Sequence, residues 1–162
     1  MLRCNVCKKI LILATLFISV SLFAKDKDLI YLGAGINNVM RKNSLSTEFR
    51  LEYLSHLKWR KIHPLIGASM TTKKQVYAYT GISLVLSRSY FVLAPNLAVG
   101  YYYKGDGKDL GFPIEFRTGV ELAIRFKNQI RVGAHFSHTS NASLSSKNPG
   151  LETLIFFIAI PI

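Results

Sequence analysis

Cysteine is almost absent from this chain. Only Cys4 and Cys7 occur in 162 residues. Their Cys-x-x-Cys spacing suits a metal-ligand or redox pair. The surrounding residues read instead as a leader. Arg3, Lys8 and Lys9 flank the start of an apolar run from Ile10 to about Phe23, and Ala24 precedes Lys25-Asp26. This is the layout of a secretory signal peptide over residues 1–24, with removal expected after Ala24. The run is too short for a permanent membrane-spanning helix. Neither cysteine follows the apolar run, which argues against a lipoprotein anchor. Residues 25–162 then contain no cysteine, so nothing in their fold rests on a disulfide.

Acidic residues are also scarce, with 9 Asp+Glu against 21 Lys+Arg. The leader carries three of the bases and none of the acids, leaving 18 against 9 for one domain over residues 25–162. A basic excess suits nucleic acid, anionic lipid or plain solubility. Export disfavours nucleic acid and leaves an anionic lipid surface as the better fit.

Helical periodicity is missing after Lys25. The sequence instead predicts short alternating strands over 29–38, 44–55, 60–71, 75–86, 89–101, 112–126, 129–140 and 150–161. Turn-forming stretches such as Arg41-Lys42-Asn43 and Lys127-Asn128-Gln129 separate them. Between 114 and 125, Ile114, Phe116, Val120, Leu122 and Ile124 alternate with Glu115, Arg117, Gly119, Glu121 and Arg125. A strand apolar on one face and charged on the other belongs in a membrane barrel, with lipid outside and a polar lumen inside. Eight such segments predict an all-β fold, an eight-stranded antiparallel transmembrane β-barrel whose closure removes unpaired edges. Val120, Leu122, Ile124 and Phe136 are expected to face lipid; Arg117, Glu121 and Arg125 are expected to face the lumen. Tyr31, Trp59, Tyr77, Tyr79, Tyr90 and Tyr101-Tyr102-Tyr103 suit interfacial aromatic belts.

The same parity locates the candidate chemistry. Ile130, Val132, Ala134 and Phe136 form an apolar row that continues into His138 and Ser140, and Glu152 leads the row Leu154, Phe156, Ile158, Ile160. With both termini periplasmic, the connection after the seventh strand lies outside the cell. His138, Ser140 and Glu152 thus fall at the outer rim, on the lipid-facing wall, level with the outer leaflet. A histidine, a serine and a carboxylate are the base, nucleophile and orienting group of a hydrolytic triad. Residues two apart on a strand are about 7 Å apart at Cα, within reach for leaning side chains. If His138 lies opposite Glu152, their Cβ atoms would be about 5 Å apart. Oxyanion donors are expected near Asn141 and from Asn148. No metal or other cofactor is required, and His56, His63 and His135 do not form a spaced ligand set with acids. Lys104-Gly-Asp-Gly-Lys-Asp109 lacks the ligand series of a calcium loop and reads as an exposed turn.

His138-Thr-Ser140-Asn141-Ala142, Asn148-Pro149-Gly150 and the acid at Glu152 together resemble the signature of the outer-membrane lipid A 3-O-deacylases, the acyloxyacyl-hydrolase-like family. The specific likeness covers roughly residues 130–160. It implies an eight-stranded barrel in the outer membrane of a Gram-negative bacterium. It also implies hydrolysis of the ester-linked acyl chain at position 3 of lipid A, the membrane anchor of lipopolysaccharide. By the same resemblance Ser140 is the nucleophile, His138 the base and Glu152 the orienting acid, with Asn141 and Asn148 near the oxyanion. A non-catalytic small outer-membrane barrel, structural or adhesive, is the alternative reading. The sequence gives no oligomeric state.

Overall fold

The computed structural model describes residues 27–41 and 45–162. The expected signal peptide and its two cysteines lie outside those residues. Nine strands follow in chain order: β1 (Leu29–Asn37), β2 (Ser46–Leu54), β3 (Ile62–Thr71), β4 (Val76–Leu84), β5 (Leu86–Arg88), β6 (Phe91–Tyr103), β7 (Ile114–Arg125), β8 (Arg131–Ser140) and β9 (Leu151–Pro161). There is no helix among the described residues.

β4 and β5 are two parts of one stave. Ser83 faces Asn96 and Leu86 faces Leu93, so the register runs through the gap without an inserted residue. Pro95 stands at the gap and has no N–H for the ladder. On the other side of the stave the Val85 N–H continues the ladder to β3, donating to the Lys61 carbonyl at 2.9 Å. Neighbouring staves are antiparallel throughout, and β1 pairs with β9, so the eight staves close on themselves. The expected barrel and its strand rhythm are those observed.

Alternation sorts the two faces. Leu32, Phe49, Leu51, Ile66, Met70, Leu97, Leu122, Ile124, Val132 and Phe156 are exposed on the outer wall. Glu48, Glu115, Arg117, Glu121, Arg131 and His135 are buried inside. A slip by one residue would exchange the two sets. Each Arg moved to the lipid face near mid-membrane would cost about 2–4 kcal/mol, so the register is strongly specified.

Side chains fill the lumen, as in other eight-stranded barrels. Arg117 donates to Glu52 Oε2 at 3.0 Å, and its guanidinium lies 4.0 Å from the Tyr79 ring centroid. Arg50 pairs with Glu48 at 2.7 Å and donates to His135 Nδ1 at 2.7 Å. Arg131 lies 3.9 Å from Glu121 and donates to the Tyr31 hydroxyl at 3.2 Å. Arg125 has luminal parity but sits at the barrel end, where it donates to the Ser89 carbonyl.

Part of the aromatic-belt expectation is corrected here. Tyr31, Tyr77, Tyr79 and Tyr102 point inward and are buried. Tyr77 stacks on Tyr79 with ring centroids 5.0 Å apart, and their hydroxyls donate to Glu115 O and Glu52 Oε2. The phenol supplies both apolar area and a polar tip that a charged lumen can satisfy. Trp59, Tyr90, Tyr101 and Tyr103 are exposed near strand ends, as a belt requires.

Residues 38–41 and the loops 104–113 and 141–150 share one rim. Lys27 and Ile162, the first and last described residues, lie at the other rim, where the Ile162 N–H donates to the Asp28 carbonyl. In barrels of this kind the longer loops are extracellular.

Candidate active site

β8 ends at the loop-bearing rim with His138 and Ser140 on its outer face. Its neighbours fix what they meet. His138 is opposite Glu152 on β9 and Thr118 on β7, and Ser140 is opposite Phe116. The cross-strand pairing brings His138 Nδ1 to 3.1 Å from Glu152 Oε1. A carboxylate accepts and does not donate, so Nδ1 carries the proton of this bond, and Nε2 has no hydrogen-bond partner among the described residues. The two side chains retain 46 % and 20 % of their surface, so the pair lies on the outer wall rather than in the packed lumen.

Ser140 is the last residue of β8 and is half-buried on the same face. Among the described residues no hydrogen bond joins its hydroxyl to the imidazole. The structure thus joins the imidazole to the carboxylate and leaves the serine beside them. Such contacts often tighten only with substrate in place.

The loop after Ser140 is rigidly clasped. Ala142 and Ser143 have φ of 51° and 66°, and the Leu144 N–H donates to the Asn141 carbonyl at 3.0 Å. Two successive left-handed residues closed in this way make a tight turn of the primed type. Asn141 holds it. Its buried Nδ2 donates to Leu110 O and Lys147 O, each at 2.8 Å, and its backbone N–H donates to Asn148 Oδ1 at 3.2 Å. The expected oxyanion donor near Asn141 is thus not one of the hydrogen-bonded N–H groups of Asn141 itself in this arrangement. All its N–H donors are committed to the loop, because the amide is enclosed between two connections. Asn148 is exposed, and with Oδ1 engaged its NH2 group remains available among the described residues.

Gly150 completes the setting. Its φ is 63°, and a Cβ built there would come within 2.6 Å of His138 Cε1. Glycine is needed for the backbone conformation and for the ring above it. Lys108, two connections away, donates to the Gly150 carbonyl and to Asn38 Oδ1 at 3.2 Å. Arg41 donates to the Pro149 carbonyl at 3.2 Å. Burial, with help from the Arg41 charge, pushes the Lys108 ammonium below the usual lysine range, against the pull of Glu152. Neither cation stands out in the sequence. Lys108 falls in the stretch expected to be an exposed turn, yet it is partly enclosed. The nearby Asp109 carboxyl is held down to about 2, chiefly by the hydrogen bond from Lys147 and then by the Gly111 N–H. Among the described residues no group of His, Cys, Asp or Glu could hold a metal ion.

Comparison with known proteins bears on this geometry. The family model described as lipid A 3-O-deacylase (PagL) matches residues 19–161. No curated protein sequence matches. The crystal structure of the outer membrane enzyme PagL is similar, with a TM-score of 0.63 and 17 % identity over 83 % of this chain and 99 % of that one. A de novo designed transmembrane β-barrel has a TM-score of 0.52 and 14 % identity, covering 86 % of this chain and 98 % of that one. The Yersinia pestis outer membrane protein Ail, in a phospholipid bilayer nanodisc, gives 0.55 and 12 %, covering 85 % and 100 %. At these identities the structural likenesses speak for the barrel, and the family follows from the sequence match. The chain belongs to the lipid A 3-O-deacylase (PagL) family.

Proposed function

We propose that this protein is an outer-membrane esterase of a Gram-negative bacterium that removes the 3-O-linked acyl chain of lipid A by a Ser-His-Glu mechanism. The observation that carries the reading is the outward-facing His138–Glu152 pair at 3.1 Å, with Ser140 two residues along the same face. In this mechanism His138 Nε2 takes the proton as Ser140 Oγ attacks the ester carbonyl. Glu152 holds Nδ1–H and stabilises the imidazolium that forms. The Asn148 NH2 group is the side-chain donor closest in role to an oxyanion contact. Collapse of the tetrahedral intermediate passes the proton from His138 to the departing sugar 3-oxygen. Water, deprotonated by the same imidazole, then releases the fatty acid from Ser140.

Location favours this substrate. An ester of lipid A lies at the boundary between headgroup and acyl region, and the site lies on the outer wall at the rim. The purified barrel should remove a single hydroxyacyl chain from lipid A, read by mass spectrometry. Lipid A recovered intact, under conditions where the barrel is folded, would remove the proposal.

A further inference from the structure

The loop-bearing rim carries more cations than its acids neutralise. Asp109 takes Lys104 at 3.4 Å and Lys147 at 3.0 Å, and Asp106 takes Lys74 at 3.0 Å. Arg41 and Lys108 have no carboxylate within ion-pair distance among the described residues. Both are instead held on the backbone next to the candidate site. Arg41 donates to Pro149 O, and Lys108 donates to Gly150 O and Asn38 Oδ1. Those two carbonyls are successive, and Gly150 lies against the His138 ring. Two like charges are therefore fixed side by side, one residue from the imidazole and on its extracellular side.

Holding like charges together is unfavourable; Glu152, whose charge acts on Lys108 without touching it, offsets part of this, and a further anion in direct contact would offset the rest. Donors remain for one. The Arg41 guanidinium has five N–H groups and uses one, and the Lys108 ammonium has three and uses two. A planar fork beside a point charge suits the several oxygens of a phosphate. Lipid A carries phosphates on the same sugars whose hydroxyls bear its acyl chains. With the ester at Ser140, the sugar lies toward the loops, where these cations are.

We propose that Arg41 and Lys108 form an anion subsite that receives a phosphate of lipid A beside the ester presented to Ser140. The subsite rests on the deacylase reading for its substrate but can be tested without turnover. In a Ser140→Ala background, in detergent micelles, dissociation constants are measured for lipid A with its phosphates and for the same lipid after phosphatase treatment. The parent should bind the phosphorylated lipid about tenfold tighter or better, as expected of charge-assisted hydrogen bonds. Arg41→Gln and Lys108→Met should each bring that ratio below about threefold, and Lys108→Arg should retain most of it. Raising salt should shrink the ratio in the parent, and shrink it much less in the Arg41→Gln variant. A parent ratio near one overturns the subsite. So does an equal loss for both lipids in the two variants, which would make the cations loop pins only. Heat-modifiable migration on gels confirms that each variant is folded. Turnover by the native chain is scored separately. A persistent ratio with no acyl release would retain the subsite and reject the deacylase reading.

Discussion

Gly150 lies against the edge of the His138 ring so closely that a single added methyl group would sit 2.6 Å from Cε1. The loop backbone itself is the surface on which the imidazole rests. Gly150→Ala should therefore tilt the ring away from Glu152 and also strain a left-handed backbone by about 1–2 kcal/mol. The expected result is a fall in kcat of about tenfold or more with KM little changed. Steady-state kinetics on lipid A checks this. Wild-type kcat in a folded variant would show that the ring is held by other contacts.

Ser140→Ala should abolish ester hydrolysis, by at least about a thousandfold, while the barrel stays heat-modifiable. The side chain is small and lies on the outer wall, so little packing is lost. His138→Ala should behave alike, because base and nucleophile act as a unit. Activity near the wild-type rate in Ser140→Ala would remove it as nucleophile.

In the proposed mechanism Glu152→Gln keeps the shape but loses the charge that would stabilise the imidazolium. The loss should fall short of that for Ser140→Ala by roughly one to two orders of magnitude, since serine and base remain in place. A crystal structure would check the accompanying geometry, with residue 152 still opposite His138.

Asn141→Ala should act through the loop rather than through the oxyanion. It removes the donor to Leu110 O and Lys147 O and frees a turn with two left-handed residues. Faster hydrogen exchange across 141–149, together with slower turnover, is expected. Asn148→Ala, by contrast, should lower kcat by about a hundredfold, on the scale of a lost oxyanion donor. Unaltered exchange in Asn141→Ala would contradict the clasp.

The pH response of the rim follows from Asp109. Its carboxyl is held down to about 2 in the folded chain, so its contribution is present above the ordinary value of 3.8. That contribution is lost only as pH falls through about 2. Contacts between loops 104–113 and 141–150 should therefore persist at a pH where ordinary carboxylates are protonated. NMR titration of the Lys147 and Gly111 signals would detect loosening well above that range if the pairing were absent.

Much of this protein is determined locally. Alternation at period two needs only a strand and its neighbours. It fixed the membrane-facing set, the buried Arg117 and Glu121, the strand rhythm and the shared outer face of His138, Ser140 and Glu152, while the fifth expected strand, 89–101, runs from Phe91 to Tyr103. Parity also puts Tyr77 and Tyr79 inside, although residue type alone suggested a belt. The tertiary structure decided what parity cannot carry. Register across β8 and β9 set His138 opposite Glu152 rather than a residue away. Loop convergence turned Asn141 from a possible donor into a buried clasp. It also brought Lys108, 42 residues from Gly150 and 70 from Asn38, to the edge of the site. A sequence shows which groups could donate. Whether a donor is already committed depends on carbonyls from distant loops, and only the closed barrel brings those together.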